Sequence, residues 1–309
     1  MESIKAFAPA TIANFNVGFD VLGLSLNNIG DEVELTLNGS ENNRIVAIVN
    51  GAQLPTAVEE NCCSVVIRKM QEALGEFKGV DISITKGFRA GSGLGSSSAS
   101  SAAAAFAYNA LVGEPFSLKE LVCFAAEGER IACGSPHIDN VAPAILGGIV
   151  LSLGKAAQDI IALPVPQDLY AISLFPKIKI NTSDARKTLK NAVPLSTVAK
   201  QVGYMGAFVA SLYKQDLELF SSALQDLIIE PARSLLIPKF QEMKQAAMDN
   251  NALAFGISGS GPAVFAIANG EAHAQQVLNA LNAVYSNVGV EYQTYVNLLI
   301  SESGARLIQ

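Results

Sequence analysis

Between residues 91 and 111 the chain reads GSGLGSSSASSAAAAFAYNAL, and no other stretch limits its fold so sharply. Three glycines within five positions lead into five serines within six, and then into alanines. Residues 96–111 read as a helix made nearly all of small residues. Such a helix must lie close against its neighbours, because Ala and Ser side chains leave little between one backbone and the next. Glycines ahead of a helix let backbone N–H groups approach an anion, and the unpaired donors of the first turn carry about half a positive charge. Ser96, Ser97 and Ser98 add hydroxyls that can bind phosphate or ligate Mg²⁺. The same letters also fit serine N-caps after a tight glycine turn. Taken alone, the segment supports both readings.

Two other nucleotide-binding patterns fit poorly. Gly91, Gly93 and Gly95 space as GxGxG, not GxGxxG, which weakens a Rossmann reading. The Gly154-Lys155 pair has Ile149 where a Walker A loop needs its first glycine and Ala156 where it needs Ser or Thr. With 28 acidic against 21 basic residues and a net charge of -7, neither nucleic acid nor an anionic membrane is expected as a partner. Any bound anion must be held locally.

At 309 residues, half of them apolar, the chain is expected to form two globular domains. MESIKAFAPA does not read as a signal peptide, and VAPAILGGIVLSL is too short and too rich in Gly and Pro to span a bilayer, so a cytoplasmic protein is expected. Cys62, Cys63, Cys123 and Cys133 form no CxxC pair and read as reduced thiols. Alternation at Val33, Leu35 and Leu37 and at Val80, Ile82 and Ile84 marks two half-buried strands, with a helix over 62–74 between them. Further helices are read at 96–111 and 117–131. The pattern loosens over Gly154 to Gln167, ending in PVP, a candidate boundary. A strand at 170–175, helices to about residue 250, two strands around GSGP, a helix at 271–285 and a strand at 293–300 follow. Helices grouped between strands suggest an α+β sandwich and leave a doubly wound α/β fold open.

Two more segments are unusual. APATIANFNVGFDVLGL (8–24) sets Asn14, Asn16 and Asp20 among apolar residues, and GISGSGPAVFAI (256–267) puts glycines at 256, 259 and 261 between strands, as if backbone approached something closely. These two segments and GSGLGSSSAS, in this order, resemble the three signature motifs of the GHMP small-molecule kinases. HIDNVAPAILGG (137–148), NTSDARKTL (181–189) and EPARSLLIP (230–238) resemble the branch of that family that phosphorylates homoserine.

The resemblance implies a GHMP kinase fold of α+β class. It places an N-terminal α+β domain of ribosomal-protein type over 1–156 and a C-terminal ferredoxin-like α/β sandwich over 157–309, with the active site between them and the last residues crossing back to the first domain. It implies ATP and Mg²⁺, phosphorylation of the L-homoserine hydroxyl to O-phospho-L-homoserine in threonine biosynthesis, and a homodimer. ATP contacts are expected from Asn61, Lys86, Gly91, Ser92, Gly93, Leu94, Gly95, Ser96, Ser97 and Ser98. Ser97 and Glu129 are the implied metal ligands, with Glu127 competing; Glu129 stands eight residues before His137, as in that branch. Asn14, Asp20, His137, Asn140, Arg186 and Arg233 are implied for the substrate, the arginines because a guanidinium fork suits a carboxylate. Asn140, Arg186 and Thr182 are the implied catalytic group.

Asn140 stands where relatives such as mevalonate kinases carry an aspartate base. An amide cannot accept the proton, so direct attack on the γ-phosphate without a protein base is expected. Ala263 stands where serine is more often seen after GSGP, removing a hydroxyl near the phosphates. Two rival readings are another GHMP kinase with a different small alcohol, and a nucleotide-binding regulator without turnover.

Overall fold

The computed structural model describes residues 3–51, 54–154, 156–178, 182–189, 192–301 and 304–309, with backbone alone for 182–184. The first part of the chain forms β1 (Ser3–Ala13), β2 (Leu22–Leu37), β3 (Arg44–Val49), α1 (Cys62–Leu74), β4 (Val80–Thr85), α2 (Ser96–Leu111), α3 (Leu118–Cys133), α4 (Ile138–Leu146), β5 (Ile149–Ser152) and β6 (Ile160–Leu163). The rest forms β7 (Leu169–Pro176), α5 (Thr182–Lys187), α6 (Leu195–Lys214), α7 (Leu217–Ala223), α8 (Glu230–Arg233), α9 (Phe240–Asp249), β8 (Ala252–Ile257), β9 (Val264–Asn269), α10 (Glu271–Tyr285), β10 (Tyr292–Leu298) and β11 (Arg306–Ile308).

The first sheet runs β11-β1-β2-β4-β3, and β5 pairs with the start of β2 and carries β6 on its other side. Alternation read from sequence sets its faces: Val33 and Leu35 of β2 pack with Val80, Ile82 and Ile84 of β4 in one core beneath α1 to α4. At the middle of that core lies α2. Its Ala102 to Ala105 are completely buried, and Gly128 of α3 comes so near that a Cβ there would lie 2.9 Å from Val66 and overlap the Ser101 hydroxyl. The small side chains therefore set the spacing of the layer, as the composition of the helix demanded.

Strands β7 to β10 make an antiparallel sheet in the order β10-β7-β9-β8. In chain order that is 4-1-3-2, the ferredoxin-like arrangement, which excludes the doubly wound alternative. One face packs on α9 and α10; the other meets α6 and α7 in a core that also includes Phe15, Leu22, Leu94 and Ala99 from the first half. The two halves thus share apolar packing.

Three features differ from the sequence reading. The run 8–24 is the end of β1, a turn, and the start of β2. The loose stretch 154–167 contains β6, which still belongs to the first sheet, so that sheet reaches past residue 156; the last residues do cross back as the resemblance implied, β11 pairing Ile308 with Lys5. The β1-β2 register shifts after Pro9, from Pro9↔Gly30 to Ala10↔Leu26. The bulged residues reach the second sheet, where the Asn28 amide N–H donates to Asn297 Oδ1 at 3.0 Å. Among the described residues no helix is long and apolar enough to cross a membrane.

Candidate active site

A cavity of about 430 Å³ opens where the two halves meet, lined by the glycine-serine loop, the turn after β1, the ends of α3 and α4, and the 259–261 loop. The glycine-serine loop is fastened through its carbonyls: Leu94 O accepts from Thr11 N at 3.0 Å, Gly93 O from Ser258 Oγ at 2.7 Å, and Ser92 O from Ala263 N at 3.1 Å. Gly93 and Gly95 hold positive φ of 89° and 68°. A Cβ on Gly93 would sit 2.9 Å from Gly261 O, and one on Gly95 would sit 2.8 Å from Asn140 Oδ1. Gly95 caps α2 with no side chain, and the buried Ser96 and Ser98 hydroxyls have no partner. First-turn amides and free hydroxyls at a helix mouth suit an anion. The cap reading of the serines fails, because no serine hydroxyl caps this helix.

The turn after β1 is strained. Asn14, Phe15 and Asn16 all have positive φ (68°, 41° and 57°), which asparagine tolerates and phenylalanine does not. Burial holds it: Phe15 is wholly buried and stacks on Phe265 at 5.4 Å, with Phe208 edge-on at 5.6 Å. Asn16 Nδ2 donates to the carbonyls of Leu224 (3.1 Å) and Phe255 (2.9 Å), joining the halves. Asn14 was expected to face substrate, yet both ends of its amide are engaged: Nδ2 donates to Gly259 O at 2.9 Å and Oδ1 accepts from Asp20 N at 3.0 Å. It positions the Asp20 backbone.

Helix α3 starts in a capping box, Ser117 with Glu120, and delivers Glu129 to the cavity at its far end. Glu129 is 2% exposed; burial pushes its carboxyl above the ordinary range, and the Ser97 hydroxyl and His137 imidazole offset part of that. Its Oε1 has no partner. Glu127 instead pairs with Arg130 at the surface (2.7 Å). An orphaned carboxylate oxygen beside serine hydroxyls is a hard-oxygen set that fits Mg²⁺. Among the described residues no three His, Cys, Asp or Glu side chains could hold a metal by themselves, so such an ion would share its shell with ligand oxygens.

His137 begins α4, its Nε2 3.0 Å from Ser135 Oγ. Next to it Asp139 is almost fully buried; burial, with Asp20 and Glu129 nearby, pushes its carboxyl up to about 7. Asn140 Oδ1 accepts from Thr11 Oγ1 at 2.8 Å, which leaves its NH₂ for the cavity.

Arg186 of α5 donates to Asp20 Oδ2 at 2.8 Å. Arg233 of α8 is 3% exposed, donates to Gly259 O at 2.9 Å and keeps an unpartnered Nε. Helix α8 is held for this purpose: Asp226 accepts N–H bonds from Ile228, Ile229 and Glu230, and Glu230 pairs with Lys244. Both guanidinium carbons lie over the Phe19 ring, Arg186 at 5.7 Å and Arg233 at 5.2 Å from its centre.

Some expected contacts are otherwise occupied. Lys86 lines the cavity, but its ammonium is buried in an ion pair with Asp31 and donates to Ser96 O (2.8 Å) and Ser100 Oγ (2.9 Å), so it supports α2 from beneath. Burial raises the Asp31 carboxyl and Lys86 opposes it. Asn61 lines the cavity but is the N-cap of α1, accepting from Cys63 N at 3.0 Å. Leu94 is core, and the Ser92 hydroxyl accepts from Leu94 N at 3.2 Å. Ala263 is fully buried behind the loop. The Thr182 side chain lies outside the described residues. Sequence reading missed Thr11, Phe19, Asp31 and Asp139. For Asp139, the neighbouring Asn140 was a signal; for the others there was none.

The GHMP kinases N terminal domain model matches residues 61–148 and the GHMP kinases C terminal model residues 208–287. Fold and site together define a small-molecule kinase of the GHMP class, an ATP-dependent phosphotransferase. Homoserine kinase of Chloroherpeton thalassium is 39% identical over 319 residues, covering 100% of both chains, and that of Chlorobaculum tepidum is 40% identical over 100% of this chain and 99% of its own. The crystal structure of homoserine kinase from Cytophaga hutchinsonii superposes with a TM-score of 0.95 at 42% identity, covering 100% of this chain and 98% of the other. The chain belongs to the homoserine kinase family.

Proposed function

We propose that this protein transfers the γ-phosphoryl group of ATP to the side-chain hydroxyl of L-homoserine, releasing ADP and O-phospho-L-homoserine, a step toward threonine. One observation carries the substrate reading: two guanidinium groups and the Asp20 carboxylate converge around Phe19 in the same cavity that has the glycine-serine loop as its floor. An amino acid supplies the complement. Its carboxylate takes the fork of Arg186 and Arg233, and its ammonium faces Asp20 and Asp139.

The phosphates lie along residues 91–98 against the first-turn amides of α2. Ser97 and Glu129 would hold Mg²⁺, which would supply neutralisation of the phosphate charge. The NH₂ of Asn140 donates to the substrate hydroxyl oxygen and aims it along the line of attack. A donor cannot take the proton, so the hydroxyl proton passes late to the transferred phosphate, in keeping with a loose transition state. The Arg186 charge, drawn off Asp20 by the incoming carboxylate, offsets developing negative charge. The reading includes a cytosolic homodimer, as the family resemblance implies.

Coupled ADP release with L-homoserine against L-threonine, L-serine and mevalonate tests this. Homoserine is expected to lead in kcat/KM by on the order of 100-fold, since each rival loses a placed polar or methylene contact. Equal rates, or no Mg²⁺-dependent ADP from any alcohol, would return the protein to one of the rival readings. In the same assay Asn140→Ala should cost about 10- to 100-fold in kcat, the loss of an orienting hydrogen bond. A fall of many orders of magnitude would mean that a proton acceptor had been lost.

A further inference from the structure

Cys133 is the last residue of α3, one turn beyond Glu129, so the two side chains leave the helix on the same face. Both line the active-site cavity, and so does Ser97 from the first turn of α2. Cys133 Sγ stands 3.7 Å from Ser97 Oγ. That is the spacing two such atoms take on one metal ion: with Zn–O about 2.1 Å and Zn–S about 2.3 Å, a tetrahedral angle sets oxygen and sulfur about 3.6 Å apart. Neighbouring ligands of an octahedral Mg²⁺, at about 2.1 Å from it, stand only about 3.0 Å apart. Burial raises the Glu129 carboxyl, and the Ser97 hydroxyl, His137 and the Cys133 thiol are among the groups that oppose it, so carboxyl, hydroxyl and thiol meet at one point. Glu129 is 2% exposed, and its Oε1, without a partner, is a second group waiting for a ligand there. Magnesium takes oxygen, not sulfur. The thiol therefore has no part in the proposed reaction.

We infer that Ser97, Glu129 and Cys133 form an inhibitory site for a thiophilic divalent cation of the zinc and cadmium class, which shuts Mg²⁺ out of the two oxygens it needs. The inference rests on the part of the proposed function that gives Ser97 and Glu129 to Mg²⁺. A carboxylate oxygen, a hydroxyl oxygen and a sulfur fill three positions, and a water or a nucleotide phosphate oxygen fills the fourth, the pattern of zinc sites that keep one position open. Binding breaks the S–H bond, forms the metal–sulfur bond and releases the proton to solvent, with no change of oxidation state. A thiolate is a soft donor, so this set prefers zinc or cadmium to magnesium, and the preference is carried by Cys133 alone. The thiol is held in place. Gly134, with φ 79°, ends α3 and donates its N–H to Arg130 O at 2.9 Å, which fixes the turn that carries Cys133.

Cd²⁺ alone is the probe, titrated into the full chain without nucleotide or alcohol, and the ultraviolet charge-transfer absorption of a sulfur–cadmium bond is the readout. The parent chain should show this band, and excess Mg²⁺ should reduce it by competition. Cys133→Ala should abolish the band and weaken Cd²⁺ binding at least about 100-fold, and Glu129→Gln should weaken it at least about tenfold. Circular dichroism of the metal-free variants checks that they fold. Cys123→Ala should change nothing, since that thiol donates to Lys119 O at 3.5 Å and does not line the cavity. Cys62 is another thiol that does line it. A parent chain without the band, a band that C133A leaves intact, one that C62A removes in its place, or one indifferent to Mg²⁺ and to E129Q would each overturn the inference. In ADP release at constant Mg²⁺, C133A should need at least about tenfold more Cd²⁺ than the parent for the same inhibition. The choice of alcohol reads separately: were homoserine not the acceptor, the ADP assay would fail with it and the cadmium band would remain.

Discussion

At the scale of single residues, Asp139 has the most unusual chemistry. A carboxyl pushed from its ordinary 3.8 to about 7 by burial binds its proton more tightly in the folded chain than in the unfolded one. Folding stability is therefore lost as pH rises from about 4 to 7, and above 7 the loss is constant. Asp139→Asn keeps the shape and removes the charge. In urea unfolding without nucleotide it should be more stable than the parent at pH 8 by on the order of a few kcal/mol, and equal to it at pH 4. Equal stability at both would show that the carboxyl is not the buried acid its surroundings make it. A retained buried carboxylate that costs stability is what a site for a cationic group requires, and the ammonium of an amino acid is such a group. Phe15 follows the same logic, with its left-handed backbone held by aromatic packing so that Asn14 and Asn16 can fasten two loops.

At the scale of elements, the glycine-serine loop and α2 act as one part. Three carbonyl bonds pin the loop from behind, Lys86 and Asp31 brace the first turn from below, and the floor left to the cavity is backbone and hydroxyl. Gly95 is the joint. Its φ of 68° and the closeness of Thr11 Oγ1 and Asn140 Oδ1 both exclude a side chain. Gly95→Ala should break the Thr11-Asn140 hydrogen bond and cost at least about 100-fold in kcat/KM with a lower melting temperature. Gly91→Ala, with φ 73° but open space around it, should cost only about 1–2 kcal/mol of backbone strain and leave turnover within roughly tenfold. Equal effects would mean that the loop tolerates displacement and is not the phosphate cradle. Helix α8 shows how a four-residue element can serve: Asp226 and the Glu230-Lys244 pair lock it, and so Arg233 can be held nearly buried.

At the scale of the whole molecule, the apolar core that includes Phe15, Phe265 and Leu94 binds the two halves into a unit whose seam is the active site. Much of this was legible in the sequence. The alternation around Val33 and Ile82, the small-residue run after Gly95 and the order of strands in the second half reach their structures with little change, because side-chain period and residue size act locally. Glu129 and the two arginines were named from motif spacing and do meet in one cavity. Lys86 lines the cavity as a nucleotide contact would, but nothing near it in the chain says that Asp31, 55 residues earlier, would claim its ammonium. Phe19 beneath both guanidinium groups and the amide of Asn14 turned to Gly259 are likewise pairings across long loops. By itself the sequence determined the elements, their layering and which residue types could handle phosphate, since these follow from propensity, period and volume along the chain. Only the tertiary structure decided which polar groups are spent holding the scaffold and which remain free for a ligand, because a hydrogen bond or ion pair is settled by whichever partner folding brings within about 3 Å.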